Sequence, residues 1–251
     1  MTTAPGPSAP GDNGRMRPRT ILAAVVAASV TALAGCAPAA PASPSPGSAG
    51  AGETDDRPVV SFYGDSYTRG TGASSIDARW STIISVERGW NEFNRSADGL
   101  GFVNRRASMR DGLDDIPALV IADDPDIVFV TMGLNDNFSY DDRADAIHRT
   151  IDSDLDRLRA GLPEARIVVV EPFWYTDERP ASVDVIAGWV EDAAERIGAD
   201  HIEGASHWLD GHDADSPDSW MAADGLHPND TGYAYMAERM DAALRALDPP
   251  L

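Results

Sequence analysis

A serine, an aspartate and histidine three positions apart, and an asparagine are the residues whose types and spacing could do chemistry in this chain. Val59 to Gly64 is a run of β-branched and aromatic residues that stops at Gly64-Asp65-Ser66, which reads as a buried strand ended by a glycine. A serine just past the carboxyl end of a strand lies where open α/β sheets form their ligand crevice. Alone, the tripeptide is also ordinary turn composition. Downstream, Asp224-Gly225-Leu226-His227 brings a carboxylate and an imidazole within reach of one tight turn. Serine, histidine and aspartate are the parts of an activated hydroxyl nucleophile. The imidazole takes the serine proton and the carboxylate holds the ring in its useful tautomer. Between them, the apolar run Val128 to Met132 delivers Asn135, an amide donor that could meet a developing oxyanion.

Positioning these residues requires strands that alternate with helices. Asp77 to Glu87 reads as a helix ending near Gly89, Trp90 to Phe93 as a short strand leading to Asn94, and 99–110 as a loop. Asp114 to Ile121 is expected to be helical and Asp126 to Met132 to be the strand before Asn135. A long helix follows from Asp141 to Leu162, then a strand at Arg166 to Val170, a helix from Ser182 to Ile197 and a weak strand at His201-Ile202. Asn229 or Asp230 caps a final helix that reaches Leu247. Strands separated by helices imply parallel β-α-β units and an α/β/α three-layer sandwich around a central parallel sheet. Trp174, Tyr175, Trp208 and Trp220 lie at element ends near the expected crevice, either lining it or packing its rim.

Taken in order, the blocks Gly64-Asp65-Ser66, Asn94 with Gly99, Gly133-Leu134-Asn135-Asp136 and Asp224-Gly225-Leu226-His227 resemble those of the SGNH hydrolase superfamily, the GDSL esterases and lipases. A rival frame for the second block starts at Asn104 but puts Met109 where the family has glycine. The resemblance implies a flavodoxin-like SGNH hydrolase fold and a serine ester hydrolase with catalytic Ser66, Asp224 and His227. It also implies an oxyanion hole made by the Ser66 N–H, the Gly99 N–H and the Asn135 side chain, with no cofactor and no metal. Alternatives are an O-acyltransferase using the same serine, a long-chain lipase, and a catalytically silent surface binding module. Two positions after Ser66 stands Thr68 rather than glycine, unlike the Gly-x-Ser-x-Gly elbow of α/β-hydrolases. Asp65 and Asp136 read as turn-fixing residues. His148, His201, His207 and His212 have no metal-ligand spacing and read as surface or core residues. The acidic stretch Asp213 to Asp218 lacks the glycine and closing glutamate of an EF-hand and reads as a solvated loop.

The 251 residues, 43% hydrophobic, suffice for one domain with appendages. Residues 1–36 read as a bacterial lipoprotein signal: Arg15, Arg17 and Arg19 precede an uncharged run from Ile21 to Leu33, and Leu33-Ala34-Gly35-Cys36 resembles a lipobox. Either Met1 or Met16 could be the start. Cys36 would then carry the lipid and hold the protein to the outer face of the cytoplasmic membrane. Residues 37–57, rich in Ala, Pro, Ser and Gly, form a tether, and 58–251 form the hydrolase domain. All 20 basic residues are arginine and the formal charge is −21. Without residues 1–36, which hold three arginines and Asp12, 17 arginines face 40 carboxylates, a net of −23. Nucleic acid is not an expected partner, since phosphate binding needs a basic footprint. With no lid-like insertion and an acidic surface, the expected substrate is a short acyl ester of a glycan or small molecule.

Overall fold

The structure, a computed structural model, describes residues 55–109 and 115–251. The expected signal segment with Cys36, and most of the expected tether, lie outside the described residues.

Five strands, β1 (Val59–Gly64), β2 (Asn91–Asn94), β3 (Ile127–Thr131), β4 (Arg166–Val170) and β5 (Asp200–Ile202), form one sheet in the order β2-β1-β3-β4-β5. Every pairing is parallel. This is the doubly wound order whose crevice opens where the strand order reverses, between β1 and β3. Strands β1, β3 and β4 read as continuous apolar runs because helices cover both faces. Alternation along each strand then divides the core in two.

On one face, Val60, Phe62, Phe129, Val168 and Val170 pack with Trp80 and Ile84 of α2 (Trp80–Arg88) and with Tyr233, Met236, Met240 and Leu244 of α6 (Asp230–Ala246). On the other, Tyr63, Val128, Val130, Ile167 and Val169 meet α3 (Ile116–Ala122), α4 (Tyr140–Gly161) and α5 (Ala181–Arg196). Each fully buried Val, Ile or Leu contributes about 1.5–3 kcal/mol, so these two layers hold the sheet's carboxyl edge rigid. The remaining helix, α1 (Ser66–Arg69), is a single turn after β1.

The expected strands and helices are found, with boundaries moved by a few residues. The helix expected from Asp77 to Glu87 is broken: Ile76–Ala78 form a 3-10 turn, Arg79 is extended, and α2 begins at Trp80. The break coincides with a local demand on Arg79, whose guanidinium bonds Thr82 at 2.8 Å and Glu92 at 3.1 Å. Gly89, in the left-handed conformation, stops α2 where the sequence indicates.

Candidate active site

Ser66 sits at the carboxyl end of β1 because three local interactions shape that turn. Asp65 caps α1 by accepting the Tyr67 N–H at 2.9 Å. A Cβ on Gly64 would lie 2.4 Å from Thr131 Oγ1 and 2.6 Å from Thr68 Cβ. Gly64 thus lets the Thr68 and Thr131 hydroxyls meet at 2.6 Å across the strand end. Asn94, the asparagine of the second block, donates to Thr68 O at 2.9 Å and so ties the end of β2 under α1. Ser66 opens the helix, where the first-turn N–H groups have no intrahelical acceptor. Asp65 is buried, and burial is the strongest influence on its carboxyl; the Tyr67 N–H bond opposes it only partly, leaving a pKa of about 7.

The base and acid arrive together on the segment before α6. Met221 and Pro228 form an isolated antiparallel bridge, and Ala222 N–H donates to His227 O at 2.7 Å, folding residues 222–227 into a narrow loop. Inside it, Asp224 Oδ1 accepts the Leu226 and His227 N–H groups, each at 3.0 Å. The other oxygen, Oδ2, meets His227 Nδ1 at 2.7 Å. His227 Nε2 in turn lies 2.8 Å from Ser66 Oγ. Burial pushes the Asp224 carboxyl up, but the bonds from the His227 ring and from two backbone N–H groups outweigh it and hold its pKa at about 2. A charged carboxylate at Nδ1 leaves Nε2 as the acceptor for a serine proton. Tyr67 Oη donates to Leu226 O at 2.6 Å, fastening this loop to α1.

Asn135 lies on a 3-10 turn, Leu134–Ser139, just after β3. It is buried, and its Nδ2 donates to Leu100 O at 3.0 Å, which leaves the second amide hydrogen for another acceptor. Asp136, beside it, accepts the N–H groups of Phe102, Val103 and Asn104 at 2.7, 2.9 and 3.1 Å. Burial raises the Asp136 pKa while these three amides oppose the rise. A Cβ on Gly101 would stand 2.5 Å from Asp136 Oδ1, so a glycine there admits the carboxylate to the backbone. Gly99 has φ +69°, a region that glycine enters without strain. Its N–H has no acceptor among the described residues, whereas its carbonyl accepts Asn104 Nδ2 at 3.1 Å. Asn104, first residue of the rival frame, thus supports the loop that carries Gly99.

The structure therefore brings Ser66, His227 and Asp224 into one hydrogen-bonded line, and links Asn135 to the 99–104 loop. Asp65 and Asp136 fix backbone, as expected. Sequence reasoning passed over Tyr67 and Arg105. Tyr67 is an ordinary strand-end aromatic until Leu226 folds back on it. Arg105 has φ +55°, unusual for a residue with a side chain, and covers Gly99: a Cβ there would be 2.7 Å from Arg105 Cδ. Of the two roles open to the aromatic residues, lining the crevice or packing, the structure favours packing for most. Trp174 and Trp208 are buried in the core, with Trp174 Nε1 bonded to Thr176 Oγ1 and Glu178 O at 3.0 and 3.1 Å. Trp220 stacks on His212 at 3.4 Å. Tyr175, beside the buried Trp174, is half-buried.

A family model described as GDSL-like Lipase/Acylhydrolase matches residues 62–235. A curated relative, GDSL lipase Rv0518 of Mycobacterium tuberculosis, is 26% identical over 187 residues, 72% of this chain and 79% of that protein. Among solved structures, TesA has a TM-score of 0.59 at 20% identity, over 77% of this chain and 99% of its own. An Axe2 mutant, an acetyl-xylooligosaccharide esterase from Geobacillus, gives 0.56 at 19%, over 74% and 93%. Fold and site together define a carboxylic ester hydrolase of the GDSL type. The chain belongs to the GDSL-like lipase/acylhydrolase family, whose model covers most of its described domain.

Proposed function

We propose that the protein is a lipid-anchored esterase of the cell envelope that removes short acyl groups, such as acetyl, from a glycan or small polyol. The observation that carries the catalytic part is the unbroken line from Ser66 Oγ to His227 Nε2 and from His227 Nδ1 to Asp224, at 2.8 and 2.7 Å. His227 takes the proton as Ser66 Oγ bonds to the ester carbonyl carbon. The tetrahedral oxyanion is met by the Ser66 N–H, the Gly99 N–H and Asn135 Nδ2. His227 then returns the proton to the leaving alcohol, and water repeats the sequence on the acyl-serine. A relay this complete favours an enzyme over a silent binding module.

Two observations support a polar alcohol and a small acyl group. A cleft of about 650 Å³ opens beside α1, lined by Arg69, Thr71, Asn94, Ser96 and Asp98 among others. It runs from the end of the nucleophile's helix to the residue before Gly99, and its hydroxyl, amide and charged groups match sugar hydroxyls better than a methylene chain. The acetyl-xylooligosaccharide esterase among similar structures acts on a substrate of that class. Anchoring through Cys36 rests on the lipobox-like sequence alone, and no helix among the described residues is long and apolar enough to cross a membrane.

The test measures kcat/KM on soluble esters from acetate to decanoate, alongside acetylated oligosaccharides, with a fluorophosphonate titrating active serine. Highest efficiency on acetyl esters is expected, with labelling lost in Ser66→Ala. A maximum at long chains would return the protein to the lipases, the activity for which GDSL lipase Rv0518 is named. Acyl transfer to an added sugar in preference to water would make it a transferase.

A further inference from the structure

On the opposite edge of the sheet from α1, three side chains converge that the ester chemistry does not use. His201 is the middle residue of β5 and Glu203 follows the strand, so residues two apart share one face. Glu191 comes from the last turns of α5, which packs over that face. One ligand atom from each of Glu191, His201 and Glu203 lies within 4.8 Å of the other two. Two further features set the cluster apart from ordinary surface acids. His201 Nε2 is buried and has no hydrogen-bond partner among the described residues, a condition that costs about 1–3 kcal/mol. Neither glutamate takes part in any of the sixteen ion pairs among the described residues, each of which joins an acid to an arginine or a histidine. In a chain of net charge −21, two neighbouring carboxylates without a cation repel one another.

We propose that Glu191, His201 and Glu203 form a site for a divalent transition-metal ion, Zn²⁺ by ligand type, that fastens α5 to the free edge strand. One imidazole and two carboxylates leave a tetrahedral Zn²⁺ one position for water, and a neutral imidazole nitrogen and two anionic oxygens are donors that this ion takes. The site is structural and remote in function from Ser66. It departs from the sequence expectation of a surface or core role for His201, because the third ligand comes from another element and no ligand spacing announces it.

The experiment uses the full chain, stripped with chelator, and titrates it with Zn²⁺ calorimetrically while Co²⁺ absorption reports ligand geometry. The expected result is one site per chain, a higher Tm with Zn²⁺, and at least a tenfold weaker affinity in both His201→Ala and Glu191→Gln. Glu191 is exposed on a helix, so Glu191→Gln is a variant whose folding does not depend on the strand, and circular dichroism of both variants confirms it. Binding that is unchanged in both variants, or spread over several weak acidic sites, would overturn the proposal. So would a Zn²⁺-insensitive Tm. Fluorophosphonate labelling of Ser66 should be the same in the variants, which separates failure of this site from failure of the esterase reading.

Discussion

At the scale of single residues, the relay is a unit and its members should not contribute additively. Ser66→Ala and His227→Ala are each expected to remove nearly all esterase activity, and the double variant to lose no more. Asp224→Ala should be milder, since Asp224 holds the ring and moves no proton. For the oxyanion, Asn135→Ala should lower kcat about 10²-fold or more with KM little changed; a change confined to KM would place Asn135 in substrate binding instead. Asp65 makes a separate prediction for stability. Its folded pKa of about 7 stands above the 3.8 of an unperturbed aspartate, so the fold favours the protonated form. The stabilisation is complete below about pH 4 and is lost as pH rises through 7. Asp65→Asn keeps a capping acceptor but cannot ionise. Compared with this variant by thermal melts, the wild type should lose stability between pH 4 and pH 8, and parallel curves would refute the burial argument. Of these residues, Ser66, Asn135, Asp224 and His227 were legible because each closes a motif at an element end. Tyr67 and Arg105 were not, since their partners are 159 and 6 positions away and no local pattern links them.

At the scale of elements, most of the sheet could be read from apolar runs, because strands buried on both faces carry their signal in composition alone. The boundaries were less accessible. Arg79 looks like any exposed basic residue in a helical pattern, and its departure from the helix goes with bonds to Thr82 and to Glu92 on β2 that no local pattern announces. The loop expected at 99–110 is largely that, but its conformation is imposed by Asp136, 34 positions away from Phe102. Asp136→Asn tests this imposition. An amide replaces one acceptor oxygen with a donor, so bonds to the three N–H groups weaken and Gly99 loses its fixed position. The expected outcome is a fall in kcat of the order seen for one lost oxyanion donor, about 10²-fold, with stability lowered by about 1–3 kcal/mol. Packing of α6 on the sheet is a purely apolar matter: Met240→Ala should cost about 2–5 kcal/mol of stability, read by urea denaturation, and leave KM untouched.

For the whole molecule, charge and anchoring act together. The chain carries 41 acids against 20 arginines, so anionic surfaces repel it and a lipid on Cys36 would be what keeps it near one. Palmitate labelling and detergent partitioning are expected for the wild type and absent in Cys36→Ser; equal labelling would refute the anchor.

His227 and Asp224 ride on one short loop, Met221 to Pro228, whereas Ser66 opens α1, Asn135 lies on the turn after β3 and Gly99 on the 99–104 loop. Beside the Ser66–His227 bond itself, Tyr67 Oη donating to Leu226 O ties α1 to that loop. The enzyme is therefore built like a lock whose bolt is a separate part: withdrawing one loop disconnects His227 and Asp224 in a single event and leaves the frame standing. Local openings of this kind need less free energy than global unfolding. Gentle heating should accordingly switch the enzyme off below the temperature at which its helices melt, and cooling should switch it on again. Tyr67→Phe, which removes the tie, should lower the first temperature more than the second.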